Sequence, residues 1–241
     1  HTSMVLSVIL GVLVGTIGVV LCKPLIILMG SPADVLDKAA LYVRIYFLGM
    51  PGFMVFNFGA AILRSAGDTK RPLVILAFSG LVNVVLNLVF IIIFKMDVAG
   101  VATATIISQY ISAIWVVVIL IKENADYKLS IKKLRVYKNE LLQIISYGLP
   151  TGIQSSCFSI SNVIIQSSVN SFGTLIVAGN SAACSVERFV YTAANSIAQT
   201  AMTFSGQNAG AGNYKRVKKV FIECSALSMG FGTLVGAVVI L

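Results

Sequence analysis

Residues 122–140 read KENADYKLSIKKLRVYKNE and form the one long polar interruption in an otherwise apolar chain. Six lysine and arginine residues in this stretch outnumber three acidic residues, and apolar segments of membrane-spanning length lie on both sides. Because cations concentrate in the cytoplasmic loops of membrane proteins, we interpret residues 122–140 as a cytoplasmic linker. It divides the chain into a first membrane-embedded part, residues 1–121, and a second, residues 141–241.

The composition excludes a soluble globular protein. Hydrophobic residues make up 57% of the 241 residues, charged residues only 11%, and the mean hydropathy is +0.93, whereas soluble domains hold roughly 25% charged residues. The net charge of +9 comes from cations in short loops between apolar segments, a pattern that sets membrane topology. The lipid bilayer is therefore an expected partner of this chain, and nucleic acid is not.

About seven segments reach the roughly 20 apolar residues that a helix needs to cross the hydrocarbon core. Cation-rich and cation-poor loops alternate, so the positive-inside rule places His1 on the cytoplasmic side. The chain opens without Met or a basic leader and stops within an apolar run, which we interpret as a piece of a longer protein. The predicted spans of this all-α polytopic membrane protein are residues 4–22, 39–63, 72–94, 98–121, 141–169, 181–206 and 220–241.

An internal repeat indicates two similar lobes. Residues 6–20, LSVILGVLVGTIGVV, align with residues 227–241, LSMGFGTLVGAVVIL, at an offset of 221. The seventh span would then restart what the first began, as in transporters that are built from parallel repeats.

Five short motifs stand in a fixed order between or within the spans. They are RSAGDTKRP at 64–72, Asn83 and Asn87 four residues apart, GVATATIISQ at 100–109, YGLPTGIQ at 147–154 and SGQNAGAGNYKRVKKV at 205–220. In this order and spacing the chain strongly resembles the multidrug and toxic compound extrusion (MATE) family over nearly its whole length. The resemblance implies a two-lobed helical bundle of twelve spans, of which this chain holds spans three to nine, without the first two and the last three.

The resemblance also implies secondary active efflux of organic cations or amphipathic compounds in exchange for protons or sodium across the cell membrane, by a monomer when full length. The sequence separately supports a secondary mechanism, since it holds no G-x-x-x-x-G-K-[ST] phosphate loop, and we expect a transporter without a cofactor rather than an enzyme. The four cysteines lack metal-ligand spacing, and we interpret them as small buried hydrophobic residues. Two alternatives remain open: a flippase of a lipid-linked precursor and a non-transporting membrane scaffold.

Asn83 and Asn87 are the first candidates for a functional site. At a spacing of four they share a helix face, and carboxamides within an apolar span must pair or line a wet cavity. One interpretation is hydrogen bonding between helices. The resemblance gives the other, cation coupling together with Thr105. The family often has Asp where this chain has Asn87, which cannot carry a proton but whose oxygen is a neutral ligand for sodium.

The substrate pathway is predicted from neutral polar residues in the later spans. Pro150 lies in the fifth predicted span of this chain, and the resemblance matches it to a proline in the seventh of the family's twelve spans. A proline bends a helix, which suits a role in packing or gating. A Glu that the NorM-like branch carries eight residues later is Phe158 here, which favours the DinF-like branch. Helix packing is the alternative role for each pathway candidate. The polar candidates outside the sixth predicted span are Gln109, Gln154, Asn162 and Gln166.

Glu187 and Arg188 are an adjacent acid and base within the sixth predicted span. A charge in mid-membrane costs about 2.5–3.5 kcal/mol on insertion scales, so Glu187 is expected to face the protein interior. One interpretation is structural: Glu187 forms an ion pair or lies near the water-exposed end of the span. The other is functional: Glu187 takes part in proton coupling or in binding a cationic substrate. Asn195 and Gln199 follow on the same predicted helix and join the pathway candidates.

Overall fold

The computed structural model describes residues 1–28, 33–125, 127–170, 172 and 174–240. Across these residues the chain forms eight α-helices and no strand. A π-helical turn, Val89–Ile93, extends the fourth helix, and a single 3-10 turn, Ile131–Lys133, lies in the linker. The helices are α1 Thr2–Leu28, α2 Ala33–Leu48, α3 Met50–Ser65, α4 Lys70–Leu88, α5 Val98–Lys122, α6 Lys138–Asn170, α7 Thr174–Gly210 and α8 Tyr214–Ile240.

Four of these helices are both long and apolar enough to cross a membrane, namely α1, α4 with its π-helical turn, α5 and α8. The bent pair α2 and α3 makes a fifth if it is counted as one span. The helices α6 and α7 have 33 and 37 residues and are long enough, but their Ser, Asn and Gln residues keep them below the apolar content of the others. Within the described residues, length and composition thus identify fewer spans than the seven predicted from the sequence.

The second predicted span, 39–63, is not one straight helix. The helices α2 and α3 meet at Gly49 with a bend of 43°. Pro51 has no N–H to donate to the carbonyl of Phe47, and a proline ring also clashes with the preceding turn. Gly49 and Pro51 therefore account for the bend.

The first compact unit, residues 1–144, is organised around α5, which packs against α2, α3 and α4. The helix α1 packs against α2 and α3, and two of its glycines permit a close approach: a Cβ on Gly11 would lie 2.6 Å from the Cα of Pro51, and one on Gly15 would lie 2.9 Å from the carbonyl oxygen of Phe47. The core at one end of this unit consists of Met4, Phe56, Ala60, Leu63, Ile75, Val116, Leu120 and Leu129.

Ion pairs join the ends of the helices in this unit. At the end that holds the linker, the guanidinium of Arg71 pairs with Glu123 at the end of α5 and with Asp68, whose Oδ2 lies 2.9 Å from the Arg71 Nε. At the other end, Lys38 Nζ lies 2.6 Å from Asp97 Oδ2. The hydrogen bond from Lys38 lowers the pKa of Asp97 below its ordinary value.

The linker packs against the first unit at Leu129. The N–H of Leu129 donates to the carbonyl of Leu120 over 2.9 Å, and the Leu129 side chain is buried in the core. The compact units divide at residues 144 and 145, within α6. The functional division into 1–121, 122–140 and 141–241 stays a prediction.

In the second unit, residues 145–241, the extensive packing is between α7 and α8. The glycine-rich turn between them follows the end of α7 at Gly210. Gly212 has a φ of +70°, a conformation that favours glycine, and the side chain of Asn213 accepts a hydrogen bond from the N–H of Arg216 at the start of α8 over 3.2 Å.

Candidate functional site

A polar cluster joins α4 to α5 inside the first unit. The Nδ2 of Asn83 donates to the hydroxyl oxygens of Thr105 and Ser108, each over 3.4 Å. One turn further along α4, the Nδ2 of Asn87 donates to Asn83 Oδ1 over 3.1 Å. The structure thus brings together the three residues that the sequence analysis proposed for cation coupling, Asn83, Asn87 and Thr105.

The face of α5 in this cluster carries three hydroxyls. Thr105, Ser108 and Ser112 are spaced three and four residues apart, so they share one face of the helix. Each hydroxyl donates to a carbonyl of its own helix over 2.8–3.0 Å, which leaves its oxygen free to accept from a neighbour. Sequence reasoning named only Thr105; the periodic spacing of the two serines was the signal that would have added them.

Two carbonyl oxygens at the site are buried and accept no hydrogen bond within the described residues: Asn87 Oδ1 and Gln109 Oε1. Buried acceptors are normally paired, and leaving one unpaired costs about 1–3 kcal/mol. The side chain of Gln109 fits because the facing residue is Gly49, where a Cβ would lie 2.4 Å from the oxygen. The site therefore offers two neutral oxygens that are available to a donor or a cation.

A cavity of about 380 Å³ opens beside the cluster, between α3, α4 and α5. Asn83, Thr105 and Gln109 line it. Two candidates for cation coupling, Asn83 and Thr105, and one candidate for the substrate pathway, Gln109, therefore face the same cavity. Asn87 does not line the cavity, but it is hydrogen-bonded to Asn83, which does. The remaining lining residues are Phe53, Phe56, Asn57, Arg64, Leu76, Ser79, Gly80, Ser108 and Ser112.

The bend between α2 and α3 is tied to the same helix that carries the hydroxyl face. The hydroxyl of Tyr110 on α5 donates to the carbonyl of Leu48 over 2.9 Å. This carbonyl lies at the break in the helix, where regular hydrogen bonding is interrupted. Tyr110 directly follows Gln109, so one turn of α5 both contributes to the site and fixes the bend.

The substrate-pathway candidates on α6 and α7 have exposed side chains. Gln154, Asn162 and Gln166 on α6 are exposed, as are Asn195 and Gln199 on α7. The helix α6 runs without interruption through Pro150. Their roles in a substrate pathway, and that of Pro150 in gating, stay predictions.

Glu187 is exposed on α7, whereas the sequence analysis expected it to face the protein interior. Among the described residues it makes no ion pair with Arg188, since neighbouring side chains on a helix diverge by about 100°. A structural pair between these two residues is therefore not formed in this unit.

A second cavity, of about 470 Å³, lies between α7 and α8 near the Gly212 turn. None of the pathway candidates lines it. Its polar lining includes Gln207 and Asn208 from α7 and Arg216, Lys219 and Glu223 from α8. The cations that border the cavity entered the sequence analysis only as determinants of membrane topology.

Metal-binding side chains do not cluster in the part of the chain that the structure describes: no group of three or more His, Cys, Asp or Glu residues comes together there. The four cysteines are free thiols; Cys22 is buried, as predicted, whereas Cys157 is exposed. The candidate site thus consists of amide and hydroxyl oxygens on α4 and α5.

These features define a class of protein: an α-helical polytopic membrane protein with a polar site inside an apolar bundle. The family model described as MatE matches residues 1–89 and 150–241. The chain therefore belongs to the MatE family, the multidrug and toxic compound extrusion transporters. The match includes Asn83 and Asn87 but not Thr105 and Gln109, which lie on α5.

Individual relatives agree with this assignment. The chain is 32% identical over 203 residues to the probable multidrug resistance protein YpnP of Bacillus subtilis, covering 84% of this chain and 45% of that protein. It is 29% identical over 226 residues to the probable multidrug resistance protein YoeA of the same organism, covering 91% and 49%. The chain thus spans about half the length of the curated relatives it matches.

The fold is that of solved MATE transporters. A multidrug resistance MATE family transporter in an outward-facing conformation matches with a TM-score of 0.88 at 22% identity, over 98% of this chain and 53% of that one. The predicted fold class, an all-α polytopic membrane protein with a MATE-like helical bundle, is confirmed.

Proposed function

We propose that the transporter containing this chain exports small amphipathic or cationic compounds in exchange for sodium or protons, and that the α4–α5 cluster binds the coupling cation. The single observation that carries the proposal is the hydrogen-bonded group of Asn83, Asn87 and Thr105 beside a 380 Å³ cavity in an apolar bundle. Carboxamides at such a position are costly unless they serve packing or a wet site.

The chemistry of the cluster favours a metal cation over a proton as the species held there. Amide and hydroxyl oxygens are neutral at all physiological pH values and do not take up a proton. They are, however, hard ligands of the kind that alkali and alkaline-earth cations accept. The two unpaired oxygens, Asn87 Oδ1 and Gln109 Oε1, would gain most from such a cation.

The proposed mechanism is alternating access. Cation and substrate occupy the protein in turn, and each shifts the population between two conformations by binding one of them more tightly. In this proposal residues 1–121 and 141–241 contribute to the two lobes, and the complete transporter acts as a monomer. The names of the relatives, which refer to multidrug resistance, support efflux of foreign compounds as the activity.

We further propose that the transporter lies in the cell membrane with residues 122–140 on the cytoplasmic face, since the cations of the linker and of the α7–α8 turn alternate with cation-poor connections. Labelling of single cysteines in intact cells tests this orientation. If a membrane-impermeant reagent added outside the cells labels the variant Lys132→Cys, the proposed orientation is overturned.

Transport is tested with the full-length protein in proteoliposomes that contain a fluorescent organic cation. Release is followed under an imposed sodium gradient and then, separately, under an imposed pH gradient. Release driven by either gradient and abolished by dissipating it supports the antiporter and identifies the ion. No response to either gradient, with the protein correctly inserted, overturns the proposal.

A further inference from the structure

One segment of the linker is held at the ends of two membrane-spanning helices. The N–H of Ser130 donates to His1 Nε2 over 3.2 Å, and the N–H of Tyr137 donates to Thr2 Oγ1 over 3.1 Å. Both acceptors lie at the start of α1, whereas Leu129 is bonded to the last turn of α5. Residues 129–137 therefore run along the ends of these two helices.

The side chains of this segment alternate between apolar and cationic, and both kinds are exposed. Ile131 has 67% of its surface accessible, and Leu134 and Val136 are also exposed. Lys132, Lys133 and Arg135 lie between them in the sequence and are exposed as well. Exposed aliphatic side chains interleaved with exposed cations are typical of a segment at the membrane interface, where the aliphatic groups are buried among the lipid headgroups.

The cations of the segment have no acidic partner. None of Lys132, Lys133 and Arg135 forms an ion pair within the described residues. Arg135 instead lies with its guanidinium carbon 4.5 Å from the centre of the Tyr137 ring, an arrangement that leaves its charge available. The neighbouring acid Glu123 is already held by Arg71.

We propose that residues 129–137 dock onto the anionic lipid headgroups of the membrane surface, with Ile131, Leu134 and Val136 inserted among the headgroups and the three cations bound to lipid phosphates. Anionic surfaces attract juxtamembrane cations by about fivefold in affinity per residue, and the aliphatic side chains add a contribution that salt does not screen. The inference goes beyond the proposed transport activity and does not depend on which cation drives it.

Hydrogen–deuterium exchange of the full-length transporter in lipid nanodiscs tests the docking. Exchange of the peptide that contains residues 129–137 is compared between zwitterionic phosphatidylcholine and a mixture of phosphatidylcholine with anionic phosphatidylglycerol. The amides of Lys132 and Arg135 make no hydrogen bond within the described residues, so they report on the surroundings of the segment. We expect slower exchange in the anionic nanodiscs and a smaller difference in 0.5 M salt.

Two variants separate the contributions. With Lys132→Gln, Lys133→Gln and Arg135→Gln combined, the surface attraction falls by roughly 100-fold at about fivefold per cation, so the lipid-dependent difference should disappear. With Ile131→Ser, Leu134→Ser and Val136→Ser combined, a difference should remain but become fully sensitive to salt. The matched control, Lys215→Gln, Arg216→Gln and Lys218→Gln combined, removes three cations from the start of α8 and should leave exchange at 129–137 unchanged.

Equal exchange in both lipids, or a difference that survives the loss of the three linker cations, would overturn the docking. Because a nanodisc presents the same lipids on both faces, a wrong assignment of the cytoplasmic side leaves the result unchanged. Loss of transport leaves it unchanged too, so failure of the docking and failure of the proposed function are distinguishable.

Discussion

The Nδ2 atom of Asn83 lies 3.4 Å from the Oγ1 atom of Thr105, so a carboxamide of α4 and a hydroxyl of α5 meet inside the first bundle. The contact joins two helices whose sequences are predominantly apolar. Hydrogen bonds of this kind between membrane helices contribute only about 0.6 kcal/mol on average. Packing alone is therefore a weak reason for the cluster, beside which two buried oxygens, Asn87 Oδ1 and Gln109 Oε1, accept no hydrogen bond from the residues that the structure describes.

Replacing Thr105 by Val should weaken ion coupling. The substitution keeps the shape of the side chain and removes the oxygen that accepts from Asn83, so the cation loses one neutral ligand. At about 1.4 kcal/mol for one such interaction, the ion concentration for half-maximal efflux should rise about tenfold. Efflux from proteoliposomes at graded ion concentrations measures this value.

Thr105→Ser retains the hydroxyl and should stay near the wild-type value. The control Thr16→Val removes a hydroxyl that, among the described residues, is bonded only to its own helix, through the carbonyl of Val12 at 2.8 Å. If Thr105→Val leaves the ion dependence unchanged, the cluster is a packing feature.

Replacing Tyr110 by Phe should destabilise the bend between α2 and α3. The change removes the hydrogen bond to the Leu48 carbonyl and leaves that carbonyl without its donor, a loss of about 1 kcal/mol in the free energy of unfolding. Thermal unfolding in detergent measures it. Tyr42→Phe is the matched control, because Tyr42 stacks on Tyr46 and its hydroxyl makes no bond within the described residues. Equal stability of both variants would show that the bend does not need the hydroxyl.

Replacing Gly11 by Ala should separate α1 from α3. The new Cβ would lie 2.6 Å from the Cα of Pro51, a backbone atom that cannot rotate away, and overpacking of this kind typically costs about 1–3 kcal/mol. In Gly80→Ala, the control on α4, the Cβ meets no atom within 4 Å, so this change should stay within about 1 kcal/mol of the wild type. Unfolding temperatures of the two variants decide the matter, and equal values would contradict the close approach.

Acidification should break the link between Glu123 and Arg71. The hydrogen bond from the guanidinium lowers the pKa of the Glu123 carboxyl below its ordinary value of 4.5. A lowered pKa means that this contribution to stability is present above pH 4.5 and is lost as the pH falls through the folded-state value. The wild type should therefore be more stable than Glu123→Gln at pH 7, and the two should converge in acid. Glu140→Gln, which removes an exposed acid without an ion pair among the described residues, should behave like the wild type at both pH values.

The helices themselves follow from the sequence because apolar segments of membrane length have no other way to satisfy their backbone groups in lipid. The linker and the glycine-rich turn before α8 were equally predictable, from charge and from Gly212. Pro51 indicated a break in the helix near Gly49. The size of the bend and the hydrogen bond from Tyr110 to the Leu48 carbonyl could not be predicted from the sequence.

The candidate site was partly predictable. Asn83 and Asn87 attract notice because carboxamides in an apolar span are costly, and the match to Thr105 came from the resemblance to the family. Ser108 was missed because a serine in a helix can satisfy its hydroxyl on its own backbone, as Ser108 does on the carbonyl of Thr105, and therefore does not require a partner. The contact between Gln109 and Gly49 depends on how α5 packs against the bend, which no local pattern encodes.

The coupling role of the cluster is tested most directly by gradient-driven efflux in Asn83→Ala combined with Asn87→Ala, compared with Asn139→Ala, an exposed asparagine in the first turn of α6. A further variant, Asn87→Asp, places a titratable carboxyl in the cluster and covers the case in which the double variant fails to fold. We predict that the double variant loses ion-driven efflux, that Asn139→Ala retains it, and that Asn87→Asp gains a dependence on pH. Unchanged ion-driven efflux in the folded double variant, or no change in the pH dependence of Asn87→Asp, would contradict the account.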